Sequence, residues 1–163
     1  MGFGTIYGKT SDVRLVSCYC SNTDEAALYP GRVVALRYTD TTWSGDGDVT
    51  PELGNGFGAA IDYTAATNSF VVGVLACQRY GETTFAHQSW APVVTRGPIA
   101  EVTSTSTVAA AVAIFPDSGV DGHVNDETGD GTAPQGFVGY SITALNGGTS
   151  TGSISMFVNT LMA

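Results

Sequence analysis

The strongest constraint in this sequence is its punctuation. Short β-favouring runs are cut off repeatedly by Gly, Asn, Asp or Pro before a helix could reach its usual length. Residues 13–20 form the first run. Residues 32–39 follow a turn at Tyr29-Pro30-Gly31, and their alternation sets Val34, Leu36 and Tyr38 on one face. Residues 56–63 are a third run, weakened by glycines. Residues 70–77 (Phe-Val-Val-Gly-Val-Leu-Ala-Cys) are apolar on both faces, the mark of a central, covered strand. Residues 91–95 and 99–102 flank Arg96-Gly97-Pro98, which reads as a break between two strands. Residues 108–115 are apolar throughout and read as one strand. The last two runs, 137–145 and 153–161, are joined by a Gly-rich hairpin loop. The helix signal is confined to Thr23-Asp24-Glu25-Ala26-Ala27-Leu28, stopped by Pro30. The predicted class is all-β: a small barrel or sandwich with long loops and little helix.

Two features organise the chain. Residues 1–12 read as an extended N-terminal arm in which Gly2, Gly4 and Gly8 interrupt Phe3, Ile6 and Tyr7, and residues 13–163 as a single β-barrel-like domain. A segment that cannot form a core yet carries apolar side chains is expected to order on a partner. In addition, Phe70-Val71-Val72-Gly73-Val74 is echoed by Phe137-Val138-Gly139-Tyr140, a hint of a duplicated unit.

Composition narrows the function. The net charge is −9, Lys9 is the sole lysine, and charged residues make up 13% of the chain, against roughly 25% in an ordinary domain. Neutralising a phosphate backbone needs clustered Lys and Arg, so nucleic acid is not an expected partner. No uninterrupted apolar stretch is long enough to span a membrane as a helix, so no membrane partner is expected either. The opening residues lack the basic-then-apolar order of a signal peptide, and Ile6 stands where a myristoylation motif needs Ser or Thr. Cys18, Cys20 and Cys77 are odd in number. They read as buried small hydrophobes of a reducing, bacterial-type cytoplasm.

Reactive constellations are scarce. His87 and His123 have no second His or Cys at ligand spacing and read as surface residues, so no metal is expected. No Gly-x-Ser-x-Gly elbow surrounds a serine, so no catalytic residue is assigned. Asp46-Gly47-Asp48 with Glu52, and Asp117, Asp121, Asp126, Glu127 and Asp130, lack calcium-loop spacing and read as turns. Gly54-Asn55-Gly56-Phe57-Gly58 lacks the Lys and helix of a phosphate loop. No cofactor is expected. Trp43 and Trp90 in polar surroundings read as barrel-end pins or interface anchors, and Arg37, Arg79 and Arg96 as sources of subunit or partner salt links.

The order Pro30-Gly31-Arg32-Val33-Val34-Ala35, then Val71-Val72-Gly73-Val74-Leu75-Ala76, then Pro92-Val93-Val94-Thr95-Arg96-Gly97-Pro98-Ile99-Ala100 resembles the capsid decoration (cement) proteins of tailed bacteriophages. So does the closing run Phe137-Val138-Gly139-Tyr140-Ser141-Ile142-Thr143-Ala144-Leu145 with its glycine hairpin. The resemblance covers about residues 30–161. It implies a structural virion protein, made in the host bacterial cytoplasm, that binds the outer surface of a phage capsid. Its partners would be the major capsid protein, whose subunits it bridges, and itself, as a homotrimer. The family has no catalytic residues to carry over. The sequence departs from the family in the long stretch between Tyr38 and Gly54 and the acidic one between Pro116 and Gly136, which read as outward-facing surface. Candidate capsid or subunit contacts are Gly2, Phe3, Ile6, Tyr7, Arg37, Trp43, Trp90 and Arg96. The alternative is a carbohydrate- or receptor-binding β-domain of tail-fibre or adhesin type, with Trp43, Trp90 and Tyr80 stacking on sugar rings.

Overall fold

A computed structural model describes residues 13–20, 27–36, 60–63, 71–76, 83–87, 89–117, 119–126, 136–145 and 151–160. The strands are β1 (Arg14–Cys20), β2 (Val33–Leu36), β3 (Ala60–Tyr63), β4 (Val71–Leu75), β5 (Trp90–Ser104), β6 (Ala113–Pro116), β7 (Val124–Asn125), β8 (Gly139–Ser141) and β9 (Gly152–Asn159). No helix occurs among the described residues, and the chain is all-β with a closed barrel.

The nine strands form one sheet in the order β1-β3-β2-β4-β5-β7-β6-β8-β9, with β1 also pairing β5 and β5 also pairing β9. Those two extra pairings make the sheet close on itself twice. The first ring runs β1-β3-β2-β4-β5 and returns to β1; the second runs β5-β7-β6-β8-β9 and returns to β5. Each ring contains one parallel pair, β1–β3 and β5–β7, and is otherwise antiparallel. The rings therefore have the same topology, and β5 is the last strand of one and the first strand of the other.

The match extends to register. Cys20 pairs Ile61 in the first ring as Ser104 pairs Val124 in the second. Leu36 pairs Ile61 as Pro116 pairs Val124, and Leu75 pairs Val93 as Ser141 pairs Met156. Leu28 and Phe85 exchange two backbone hydrogen bonds, and so do Val108 and Leu145. In the turn before β2 the Gly31 N–H donates to Leu75 O and the Leu75 N–H to Arg32 O, each at 2.9 Å. Before β6 the Ala111 N–H donates to Ser141 O and the Ser141 N–H to Val112 O, each at 3.0 Å. Both turn residues have positive φ, +79° at Gly31 and +60° at Ala111. The Phe-Val-Gly echo falls on β4 and β8, which hold the same place in the two rings. A Cβ at Gly73 would lie 2.1 Å from Val94 O, and one at Gly139 would lie 2.0 Å from Phe157 O. Only glycine allows the following strand to approach so closely.

Each ring is filled by its own inward side chains. The first holds Cys18, Val34, Ile61, Val72 and Val93 at the positions that Val102, Ile114, Val124, Val138 and Met156 occupy in the second. The outward residues Val33, Val71, Val74, Ala76 and Val94 of the first barrel are buried too, because the second barrel lies against them, and they join its cluster with Ile99 and Val158. Burial of each such side chain is worth about 1.5–3 kcal/mol.

Three readings of the sequence are corrected here. Residues 91–95 and 99–102 are not two strands: β5 runs unbroken through Arg96-Gly97-Pro98. Among the described residues its strand pairing at Pro98 is to β9, on one edge, where a missing N–H is tolerated. The passage to the second barrel is a bulge between Ile99 and Val102, with Glu101 at φ 61°. Residues 108–115 are not one strand, since the turn at Ala110-Ala111 separates a bridge at Val108 from β6. Residues 137–145 contain only the short β8, with Leu145 in an isolated bridge. Most of the residues giving the helix signal lie outside the described residues, and Leu28 is in an isolated β-bridge.

Candidate functional site

The outward face shared by β1 and β5 collects exposed side chains that a barrel wall does not need. Side chains alternate across a strand, so Leu15, Ser17 and Tyr19 of β1 share this face with Trp90, Pro92 and Arg96 of β5. Leu15 is 54% exposed and Trp90 43%. The Trp90 ring meets the edge of buried Tyr19, with centroids 5.6 Å apart and planes at 72°, so the indole is held in place while much of it faces solvent. Leu15, Ser17, Trp90 and Pro92 line a shallow groove here. At its far end Arg14 pairs directly with Arg96 across the ladder, and both are exposed. Like charges opposite each other cost stability. In a chain with only 6 Lys and Arg, this pair concentrates positive charge at one point. Trp90 and Arg96 are thus brought onto one strip, about 20 Å apart along the strand. The reading of the sequence missed Arg14 and Leu15. The even spacing of Leu15 with Ser17 and Tyr19 was available, but the pairing of both residues with β5 was not. Gly2, Phe3, Ile6, Tyr7, Arg37, Trp43, Arg79 and Tyr80 lie outside the described residues.

A second polar group sits where the two barrels meet. His123 is 7% exposed and is not a surface residue, contrary to the sequence reading; its ring contacts the Arg32 guanidinium of the first barrel. Burial and then the Arg32 charge hold its imidazole below the ordinary histidine range, so it is held neutral near pH 7. Tyr63 packs over Gly122, and Val33 donates to Gly122 O at 2.8 Å. Asp117 organises the adjoining turn: its carboxylate accepts from the Gly119 N–H at 2.6 Å, the Val120 N–H at 2.9 Å, Asn125 Nδ2 at 3.2 Å and the Thr105 hydroxyl. Burial alone would raise its pKa, but these donors together lower it. The carboxylate is committed to an internal turn. His87 is half-buried; Asp46, Asp48, Glu52, Gly54 to Gly58, Glu127, Asp130 and Cys77 lie outside the described residues. Cys18 and Cys20 are buried thiols outside any disulfide inside the first barrel, and burial followed by the charge of Cys20 pushes Cys18 up to about 12. A thiol so protonated is no nucleophile at neutral pH.

Among the described residues the strip offers an anchored indole, an exposed aliphatic side chain and two arginines on one wall. Comparison with protein-family models, curated proteins and solved structures finds no match in any of the three.

Proposed function

We propose that the chain is a structural virion protein that binds the outer surface of a phage head and stabilises it by bridging major capsid protein subunits, acting as a homotrimer. The observation that carries this reading is the β1–β5 strip. Its Trp90, Leu15 and paired Arg14 and Arg96 form a surface suited to another protein's wall and carboxylates. Residues 1–12, with Phe3, Ile6 and Tyr7, join β1 through Val13 at the arginine end of that strip. The resemblance of the glycine-and-valine runs to decoration proteins supplies the capsid as partner. The net charge of −9 fits the outside of a shell better than the packaged DNA. Binding through modest contacts repeated over a symmetric lattice gains by avidity.

The test is co-sedimentation with empty phage heads assembled from a major capsid protein. Saturable pelleting and a raised disassembly temperature of the heads are expected, with Trp90→Ser or Arg96→Glu weakening binding roughly tenfold or more. Removing residues 1–10 should weaken it further. No pelleting by the intact chain, together with retention on a glycan array, would replace this reading with the carbohydrate-binding one.

A further inference from the structure

The duplicated topology gives every surface of one barrel a counterpart on the other, and the two members of a pair need not be equally covered. The first barrel's outward face is covered: Val33, Val71, Val74, Ala76 and Val94 lie under the second barrel and are buried. By register, their counterparts on the second barrel are Ala113, Phe137, Tyr140, Ile142 and Phe157. Among the described residues nothing covers these as fully, and none of the five is fully buried. Tyr140 is 51% exposed and Ile142 52%, and Phe137 stacks edge-on against Tyr140 with centroids 5.1 Å apart, a preformed aromatic surface. Arg32, the polar residue at the internal joint, is replaced here by Val112. The uncovered face is therefore the more apolar of the two.

The element that does the covering also has a counterpart. The second barrel presents Ile99, which is 2% exposed and clusters with Val33, Val71 and Val74. Ile99 pairs Met156 as Val16 pairs Val93, so the first barrel presents Val16 at the matching position, and Val16 is 37% exposed. One molecule thus carries one half of the barrel-to-barrel joint bare on its second barrel and the other half bare on its first.

We propose that a second copy of this chain completes both halves. The first barrel of one copy seats on the Tyr140–Ile142 face of the next, repeating between molecules the joint already made within each. Such contact is heterologous, head to tail, and closes into a ring or runs on as a chain of barrels. It uses Val16, which points to the opposite side of β1 from Leu15 and borders the groove that holds Leu15 and Trp90. It does not depend on the capsid reading, and its test contains no capsid.

The test is light scattering coupled to size exclusion, with sedimentation velocity, on the full chain. The wild type should be oligomeric at micromolar concentration. Tyr140→Asp and Val16→Asp should each weaken self-association roughly 100-fold or more and give monomers. Far-UV circular dichroism and a melting curve confirm folding, and Ile142→Asp and Val16→Ser serve where the first variants are unstable. An equimolar mixture of one variant from each face should form a one-to-one heterodimer, because each supplies the half the other lacks. A monomeric wild type, oligomers that survive both substitutions, or a mixture that stays monomeric would each overturn the proposal.

Discussion

The two barrels have the same strand order and register but almost no residues in common at matching positions. Inside the first, Cys20 and Leu75 point inward; inside the second, Ser104 and Ser141 stand at those places. The hydroxyls are not stranded. Ser104 Oγ donates to Val124 O at 3.0 Å, while Ser141 Oγ donates to Ala109 O at 2.7 Å and accepts from the Val112 N–H at 3.1 Å. The turn tied down by Ser141 contains Ala111 at positive φ, where the first barrel has Gly31. A buried hydroxyl in one copy thus holds a backbone conformation that glycine adopts freely in the other. What the two share is the pleat-level requirement that a strand pass close to its neighbour, met by Gly73 and Gly139.

This comparison can be broken at matched positions. Ile61→Ala and Val124→Ala each empty a fully buried site at matched places, one per barrel, and should each cost about 2–3 kcal/mol in urea unfolding. Since β5 belongs to both rings, each variant should still unfold in one transition; two transitions in either would show that the barrels are independent. Gly73→Ala and Gly139→Ala should cost about 2–3 kcal/mol each, because the added carbon meets a backbone oxygen that cannot move aside. A harmless change at one of them would undo the equivalence of β4 and β8. At the turns the expected signs are opposite. Ala111→Gly should stabilise by about 1 kcal/mol by relieving the positive φ, whereas Gly31→Ala should destabilise by at least that much.

The smallest expected effect is on pH dependence and belongs to the joint. The His123 pKa is lowered on folding from an ordinary value of 6.5, so the unfolded chain binds the proton more readily. Its contribution to stability is present above about pH 6.5 and is lost as the pH falls through the lowered folded value. Asp117, lowered from 3.8, has the same sign and acts at more acid pH. The melting temperature should therefore fall on acidification below 6.5. His123→Gln should flatten the upper part of that fall and leave the lower part, and an unchanged profile would remove His123 from the account.

The all-β class was legible because turn residues leave no room for helices, and β4 was legible as a covered strand because it is apolar on both faces. The continuity of β5 was not. A Gly-Pro step breaks a strand laddered on both edges, and only the fold reveals that among the described residues Pro98 pairs on the β9 edge. The split within residues 108–115 was hidden in the same way, since an alanine at positive φ is held there by Ser141, 30 positions further on. The site was half legible. Trp90 and Arg96 stood out by residue type, whereas Arg14 joins them only through a cross-strand pairing. His123 was misplaced for that reason too, as the group that buries it, Arg32, comes from the other barrel.

The sharing of β5 also gives assembly of the chain a direction in time. As the polypeptide emerges from the ribosome, β1 to β4 can close only when the first half of β5 arrives. That closure fixes the second half of β5 as an edge before β6 to β9 have been made. The later strands then add to a template already in register, so the first barrel to form is the mould for the second.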